Sequence, residues 1–356
     1  MGLPLSSNCL SGLRADNLLA YLAALGTLRS LTLHSPQLQP RLAWCLDDGC
    51  WRPAIQLPEQ LTEDDIASRL FEHLQGKDQE PQFLMMLPDT EIAPRDLTIP
   101  GYVFSRVALA AAEQATPDNR AWADFCCAYG TEAYSEEEAI QNTSLRTMSG
   151  AGHQHFLESI RRLALRPVDD TQKRGSLKNQ MNRTEKEIGD GTTKDQFRRA
   201  LFGPWDYSDS GPAMRWDPRD DRRYALRADD PSGSKVDPIR TMRGANRLAV
   251  EALPLFSTFP AANGARTVGF RRHDGSNVIT CPVWQDGLQL DTVRSVLNHP
   301  SLEHPLENRS DLAVIRIREV FQSTRLITGR MVNFTPGKPI CGGVWQQPTV
   351  ERATPR

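Results

Sequence analysis

Residues 16–33 read DNLLAYLAALGTLRSLTL, and this stretch sets the character of the first part of the chain. Leu18, Leu19, Leu22, Leu25 and Leu28 recur at the spacing of a helix face, while Ala20, Ala23, Ala24 and Gly26 are small enough to admit a close neighbour. Asp16 precedes the run where an N-cap belongs. The reading is a buried helix. A membrane span is not expected, because Thr27, Arg29, Ser30 and Thr32 interrupt the run before about 18 apolar residues accumulate.

Outward from this helix, RLAWCL and WRPAIQL flank Asp47-Asp48-Gly49, a turn sequence tolerant of positive φ, so a hairpin is predicted. Thr62 opens a second amphipathic helix, TEDDIASRLFEHLQG, with acids in its first turn and Gly76 at its end. Further helices are predicted at 103–115, 119–129 and 152–165. From Arg166 to Lys194 the sequence RPVDDTQKRGSLKNQMNRTEKEIGDGTTK lacks apolar periodicity and reads as a long loop or disordered segment. A short helix, KDQFRRALFG, precedes a Pro-, Gly- and Asp-rich run from Pro204 to Pro238, and a helix follows at about Asn246 to Phe256. Toward the end, ARTVGFRR and NVITCPVW form a predicted hairpin, Asp291–Asn298 a helix, and LAVIRIREVF and RLITGRMVNF strands. No repeat is visible, and the last dozen residues read as frayed.

The expected class is α+β in three segments. These are a mainly helical part with a hairpin over 1–165, a basic loop-rich part over 166–240, and an α+β part over 241–356. The length of 356 residues suits about two domains and a core that needs neither disulfides nor metals. The seven cysteines are odd in number and have no CxxC spacing, which argues against a disulfide framework and a zinc knuckle and fits a reducing cytoplasm. Cys126 and Cys127 read as small buried thiols. The opening residues lack the basic and apolar regions of a secretory signal, so no targeting peptide is expected.

The net charge of −2 excludes a uniformly basic nucleic-acid binder. Its distribution is uneven. Residues 1–160 hold 10 Lys+Arg against 21 Asp+Glu, residues 161–250 hold 20 against 14, and residues 251–356 hold 12 against 9. An acidic first part thus precedes a basic middle, as if the two faced different neighbours.

Three clusters carry candidate chemistry. In SGAGHQHFLESIRRLALRP, His153 and His155 point apart on a helix and lack the HExxH spacing, so a metal there needs distant partners. His155, Ser159, Arg162 and Arg166 share one helical face. A solvated polar face accounts for them, and so does a phosphate-contacting edge, because arginine forks match phosphate geometry and Ser149-Gly150 offers backbone amides. In MRWDPRDDRRYALRADDPSGSK, Asp217, Asp220 and Asp221 are hard oxygen ligands suited to magnesium, yet Arg215, Arg219, Arg222, Arg223 and Arg227 interleave with them and favour ion pairs. Trp216 and Tyr224 are candidates to stack on bases or to anchor the loop. Lys173, Arg174, Lys178, Arg183 and Lys186 form a basic loop that is either solvated or ordered on a phosphate backbone, with Asn179, Gln180 and Asn182 near base edges. No P-loop, GxGxxG, GxSxG or HExxH motif is present.

Together LSGLRADNLLAYLAALGTLRSL, TSLRTMSGAGHQHFLESIRRLA, and WDPRDDRRYALRADDPSG followed by RGANRLAVEALPLF resemble the CRISPR-associated large-subunit-like proteins of type I-U (type I-G) effectors. The third is the most specific. The resemblance covers roughly a fifth of the chain and touches Ser149, Gly150, Trp216, Asp217, Pro218, Asp220, Arg222, Arg223, Tyr224, Gly244, Ala245 and Asn246. It implies a non-catalytic cytoplasmic subunit of an RNA-guided DNA surveillance complex, without cofactor or membrane. Such a subunit contacts the motif beside the target in double-stranded DNA, helps open the strands beside guide-RNA-bearing subunits and docks a helicase-nuclease. On physical grounds the expected phosphate contacts are Arg161, Arg162, Lys173, Arg174, Lys178, Arg183 and Arg243, with Asn179 and Asn246 at base edges. The strand-rich end departs from the helical bundle of many large subunits, and the chain is short for one. The competing reading is a metal-dependent nuclease or phosphodiesterase built on His153, His155, Asp217 and Asp220.

Overall fold

The computed structural model describes residues 5–86, 93–132, 138–148, 154–165, 191–220, 240–262, 264–328 and 331–340. The expected buried helix is α1 (Leu18–His34), apolar on every side and therefore buried on every side through Leu31. Its cap is Asn17 rather than Asp16, with Asn17 Oδ1 accepting from the Ala20 amide at 3.2 Å. Ahead of it β1 (Ser6–Cys9) pairs with β3 (Cys50–Leu57), and β3 pairs with β2 (Arg41–Asp47), which gives a three-stranded antiparallel sheet in the order β1-β3-β2. The β2–β3 turn at Asp48-Gly49 has positive φ at both residues, as its composition predicts. Thr62 caps α2 (Glu63–Leu74) in a reciprocal box with Asp65.

The helical layer continues with α3 (Pro81–Leu84), α4 (Gly101–Glu113), α5 (Ala121–Tyr129) and α6 (Phe156–Ala164). On α5 Cys126 is buried but Cys127 is exposed, so only the first fits the expectation of buried thiols. Strands β4 (Gly130–Thr131) and β5 (Gln141–Asn142) pair with each other, and α7 (Lys194–Phe202) follows. Strands β6 (Asp209–Ser210) and β7 (Arg240–Thr241) pair across the middle segment and lead into α8 (Arg243–Ala252). The hairpin of β8 (Thr258–Ala261) and β9 (Gly264–Thr267) precedes a larger sheet. That sheet runs β10 (Phe270–His273), β11 (Ser276–Trp284), β12 (Ile317–Thr328), β13 (Met331–Phe334), with β14 (Lys338–Pro339) also on β12. Helices α9 (Leu290–Leu297) and α10 (Arg309–Val314) lie between β11 and β12 in sequence. The fold is α+β.

The expected strand LAVIRIREVF is corrected at its front. Residues 312–314 close α10, Arg316 takes φ 62, and the strand starts at Ile317. Leu312 is fully buried from the helix, and the left-handed residue turns the chain into the sheet.

A single apolar cluster runs through residues from all three sequence segments, so the core does not respect the boundaries at 165 and 240. Its centre is the crossing of α1 and α8. A Cβ on Gly26 would lie 1.8 Å from the Leu248 carbonyl oxygen, so the two backbones touch there and only glycine fits. One turn earlier on α8, a Cβ on Gly244 would lie 2.2 Å from the Gln196 carbonyl oxygen of α7. The three helices form a backbone-tight stack.

Charges are buried within it. Arg29 of α1 meets Glu251 of α8 at 2.6 Å, Arg247 meets the same carboxylate at 2.8 Å, and all three side chains are 3% exposed or less. The rings of Phe125 and Phe83 lie 5.4 and 5.3 Å from the two guanidinium carbons. Burial alone would raise the Glu251 pKa, but Arg247 and Arg29 outweigh it and hold it at about 2. His73 of α2 faces this cluster, and burial, with Lys77 second, lowers its pKa to about 4. No helix among the described residues is long and apolar enough to cross a membrane.

Candidate nucleic-acid interface

The basic middle segment is rooted where α6 ends and α7 begins. Thr193 closes a capping box with Gln196 at the start of α7. Beside it, Thr192 Oγ1 donates to the Leu163 carbonyl at 2.9 Å. Departure and return of the chain around 166–190 are thereby fixed next to each other. Lys173, Arg174, Lys178, Asn179 and Arg183, expected to reach phosphates and base edges, lie outside the described residues. So do Ser149, Gly150, His153, Arg222, Arg223 and Tyr224.

The other expected contacts are described, and Arg161, Arg243 and Asn246 use their side chains within the fold, whereas Arg162 Nε is buried without a hydrogen-bond partner. Arg161 Nη1 donates to the carbonyls of Phe83 and Pro94 at 3.2 and 2.9 Å. Arg162 is half-buried beside it, and burial lowers the pKa of both guanidinium groups. Arg243, 2% exposed, donates to the carbonyls of Arg162 and Gly211 at 2.6 and 3.1 Å. Its backbone amide is capped by Asp209 Oδ2 at 3.0 Å. Asn246 is fully buried. Its Oδ1 accepts from the Met214 amide at 2.7 Å, and its Nδ2 donates to Thr241 Oγ1 and the Met242 carbonyl at 2.9 and 3.0 Å. In this conformation Arg243 and Asn246 hold α8 against the 209–216 loop, and neither has a surface to offer a base edge or a phosphate.

Of the expected polar face Ser159 is buried while His155 and Arg162 are half-buried, and of the expected stacking residues Trp216 is buried. Ser159 of α6 is buried, and its Oγ lies 3.4 Å from Met148 Sδ. Trp216 is fully buried with its indole N–H on the Leu145 carbonyl at 2.9 Å. His155 precedes α6, 3.8 Å from the Asp96 carboxylate, which also receives Arg146 at 3.0 Å. Asp217, 2% exposed, is a structural acceptor: Oδ1 takes Asn17 Nδ2 at 3.1 Å and the Arg219 amide at 3.0 Å, and Oδ2 takes the Tyr207 hydroxyl at 3.0 Å. Both oxygens are committed. Asp220 is buried in the adjacent 3₁₀ turn. Among the described residues no group of three or more His, Cys, Asp or Glu is placed to hold a metal ion.

The Asp217 hub also builds one wall of a cleft of about 640 Å³, which sequence reading missed. The cleft lies between the N-terminal end of α1 and the chain that follows α7. Phe202, Trp205 and Tyr207 line it together with Arg14, Arg52, Pro204, Pro218 and Pro336. Tyr207 has a left-handed φ of 54, a conformation that costs a non-glycine residue free energy and must be held by its surroundings. Three interactions hold it: the hydroxyl on Asp217, the Arg219 guanidinium 3.8 Å from the ring centroid, and the backbone amide donating to Met242 Sδ at 3.4 Å. Trp205 meets Tyr207 edge-on at 6.0 Å and donates its indole N–H to the Ala200 carbonyl at 2.9 Å. Arg14 forks onto Asp16 at 3.0 and 2.6 Å, in a pair whose side chains are 51% and 33% exposed. The local sign was Trp205 and Tyr207 one residue apart in a loop. Arg14 and Arg52 join them only through the fold.

No protein-family model, no curated protein and no solved structure matches the chain.

Proposed function

We propose that the chain is a non-catalytic subunit of a type I CRISPR RNA-guided DNA surveillance complex, acting in the cytoplasm in antiviral defence. It fills the place of the large subunit: it contacts the short motif beside the target in double-stranded DNA, helps to hold the strands apart beside the guide-RNA-bearing subunits, and docks a helicase-nuclease. The observation that carries this reading is the root of the 166–190 segment. Between 171 and 184 that segment holds Lys173, Arg174, Lys178 and Arg183 and no acid, and the residues that flank it are joined by the Thr192–Leu163 hydrogen bond. A run of cations confined to one stretch of sequence can neutralise a phosphate backbone without requiring the whole protein to be basic. The spent oxygens of Asp217 argue in the same direction, because a carboxylate with three donors on it is a poor magnesium ligand.

The test is assembly and charge reversal. The protein should co-purify with guide-bearing subunits. The variant Lys173→Glu, Arg174→Glu, Lys178→Glu should weaken target DNA binding by the assembled complex and lower the slope of log affinity against log salt by about 0.9 for each phosphate no longer neutralised. Unchanged affinity and slope would sink the role given to the segment. Metal-dependent cleavage by the purified chain, abolished by Asp217→Ala, would replace the reading with the nuclease.

A further inference from the structure

We infer that the cleft between the start of α1 and the end of α7 is a receptor for one unpaired nucleotide. The inference rests on the reading of the chain as a nucleic-acid-facing protein and names a ligand class for a site that reading leaves unassigned.

The wall is built before any ligand arrives. Tyr207 is held in an unfavourable backbone conformation by its hydroxyl bond to Asp217 and by the Arg219 guanidinium on its ring. Asp217 is in turn tied to Asn17, the cap of α1. The polar ends of both aromatic residues are consumed by the protein, Tyr207 on Asp217 and Trp205 on the Ala200 carbonyl. What they show the cleft is ring surface. A polyproline peptide docking on aromatic residues needs donors for its carbonyls, and the indole N–H here is already taken. A nucleobase needs a flat apolar face, which every base can use whatever its sequence.

The rim suits the rest of a nucleotide. Arg14 and Arg52 line the same cleft as the rings, Arg52 with its guanidinium on Asp47 and the Ser11 carbonyl. Arg14 already makes a two-pronged contact with a carboxylate, the geometry that a phosphate oxygen pair also accepts, and its pair with Asp16 is open to solvent. Exposed pairs of this kind exchange at little cost. The volume of about 640 Å³ lies within the range of small-molecule sites and admits an extruded base with its sugar and phosphate, whereas a double helix cannot enter.

The experiment uses the full chain at low salt with a fluorescein-labelled ten-nucleotide DNA strand. Binding is read by anisotropy and compared with the same sequence as a duplex and with a strand carrying one abasic site at its centre. The single strand should bind more tightly than the duplex. Trp205→Ala should weaken it about tenfold, within the range of base–aromatic stacking, and Trp205→Phe should recover most of the loss. Arg14→Gln, at an exposed position, should leave the fold intact and lower the salt slope by about 0.7, the value for one phosphate on a single strand. Equal binding of single strand and duplex, no saturable binding of the single strand, or indifference to both Trp205→Ala and Arg14→Gln would overturn the inference. The assembly reading would survive that failure, since it stands on co-purification and on Lys173, Arg174 and Lys178. Conversely, loss of co-purification with the single-strand preference intact would leave the cleft standing without the complex.

Discussion

Replacing Glu251 by glutamine tests the heart of the fold, because it removes one negative charge from beneath two guanidinium groups. Arg29 and Arg247 are 3% and 1% exposed at the side chain, and both contact the same carboxylate, at 2.6 and 2.8 Å. The pair is already incompletely served, since Arg247 Nε and Nη2 are buried without a hydrogen-bond partner. Glutamine keeps the shape and some hydrogen bonding but leaves two buried cations uncompensated. Breaking a buried ion pair from one side costs about 3–5 kcal/mol, a large share of the roughly 5–15 kcal/mol that holds most domains folded. For a chain of 356 residues the unfolding entropy is about 0.75 kcal/mol/K, so a loss of about 4 kcal/mol should lower Tm by about 5 °C. Calorimetry on Glu251→Gln reads this directly. The decisive comparison is Arg29→Met, Arg247→Met, Glu251→Leu combined, which removes all three charges and should be neutral or stabilising by about 1–4 kcal/mol. If the combined variant is destabilised as much as the single one, the cost lies in packing and the charge argument is wrong.

Acid should act through the same place. Glu251 has a folded pKa of about 2, below the ordinary 4.5, so its contribution is full above 4.5 and is lost as pH falls toward 2. His73 has a folded pKa of about 4, below the ordinary 6.5, so the unfolded chain takes up a proton that the native state refuses, and stability falls between pH 6.5 and 4 at up to about 1.4 kcal/mol per pH unit. Urea midpoints across this range should decline in both windows, and His73→Gln should flatten only the upper one. At the α1–α8 crossing, Gly26→Ala places a methyl 1.8 Å from the Leu248 carbonyl oxygen and should destabilise by about 3 kcal/mol in denaturant melts, since backbone must move. A stable, unshifted alanine variant would mean that the helices do not touch. Asn246→Ala leaves the Met214 amide without its 2.7 Å acceptor and should cost about 1–3 kcal/mol in thermal unfolding. A variant of unchanged stability but altered base preference would return Asn246 to the nucleic-acid face.

Much of the fold is legible where a local pattern has one physical meaning. The Asp48-Gly49 turn, the Thr62 box and the leucine-rich run at 18–31 each specify their element by chemistry within a few residues, and the structure has all three. Legibility fails where the partner is distant. Arg247 and Glu251 look like an exposed i, i+4 pair on the surface of a helix. They are buried because Arg29, 222 residues away, completes the cluster. Arg161 and Arg243 fail in the same way: a guanidinium that reads as a phosphate fork serves equally well on backbone carbonyls, and spacing cannot separate the two uses. The cleft failed for the converse reason. Trp205 and Tyr207 lie in a Pro-, Gly- and Asp-rich run that carries no periodicity, and its arginines come from the other end of the chain.

Helix α7 runs from the residues that flank the basic segment to the wall of the cleft. The helix begins at the Thr192–Leu163 tie that roots the segment and ends at Phe202, in the wall of the cleft. Nine residues at 1.5 Å put about 13 Å between the root of the segment and the wall of the cleft. Neither end moves independently, because Gly244 brings the backbone of α8 onto Gln196, and Asp209 Oδ1 accepts from both Gln196 and Arg199 of α7 at 3.0 and 2.5 Å. In the proposed reading, a strand engaged by the basic segment is tethered to the same folded body as the cleft, so that a second engagement there is intramolecular with a raised effective concentration. This makes the coupling measurable in the assembled complex. On a target with duplex continuing into an unpaired strand, Trp205→Ala and Lys173→Glu, Arg174→Glu, Lys178→Glu should each cost affinity, and together they should cost less than the sum of the two losses. Strict additivity on that substrate would mean that the basic segment and the cleft serve different molecules, even if each binds as proposed.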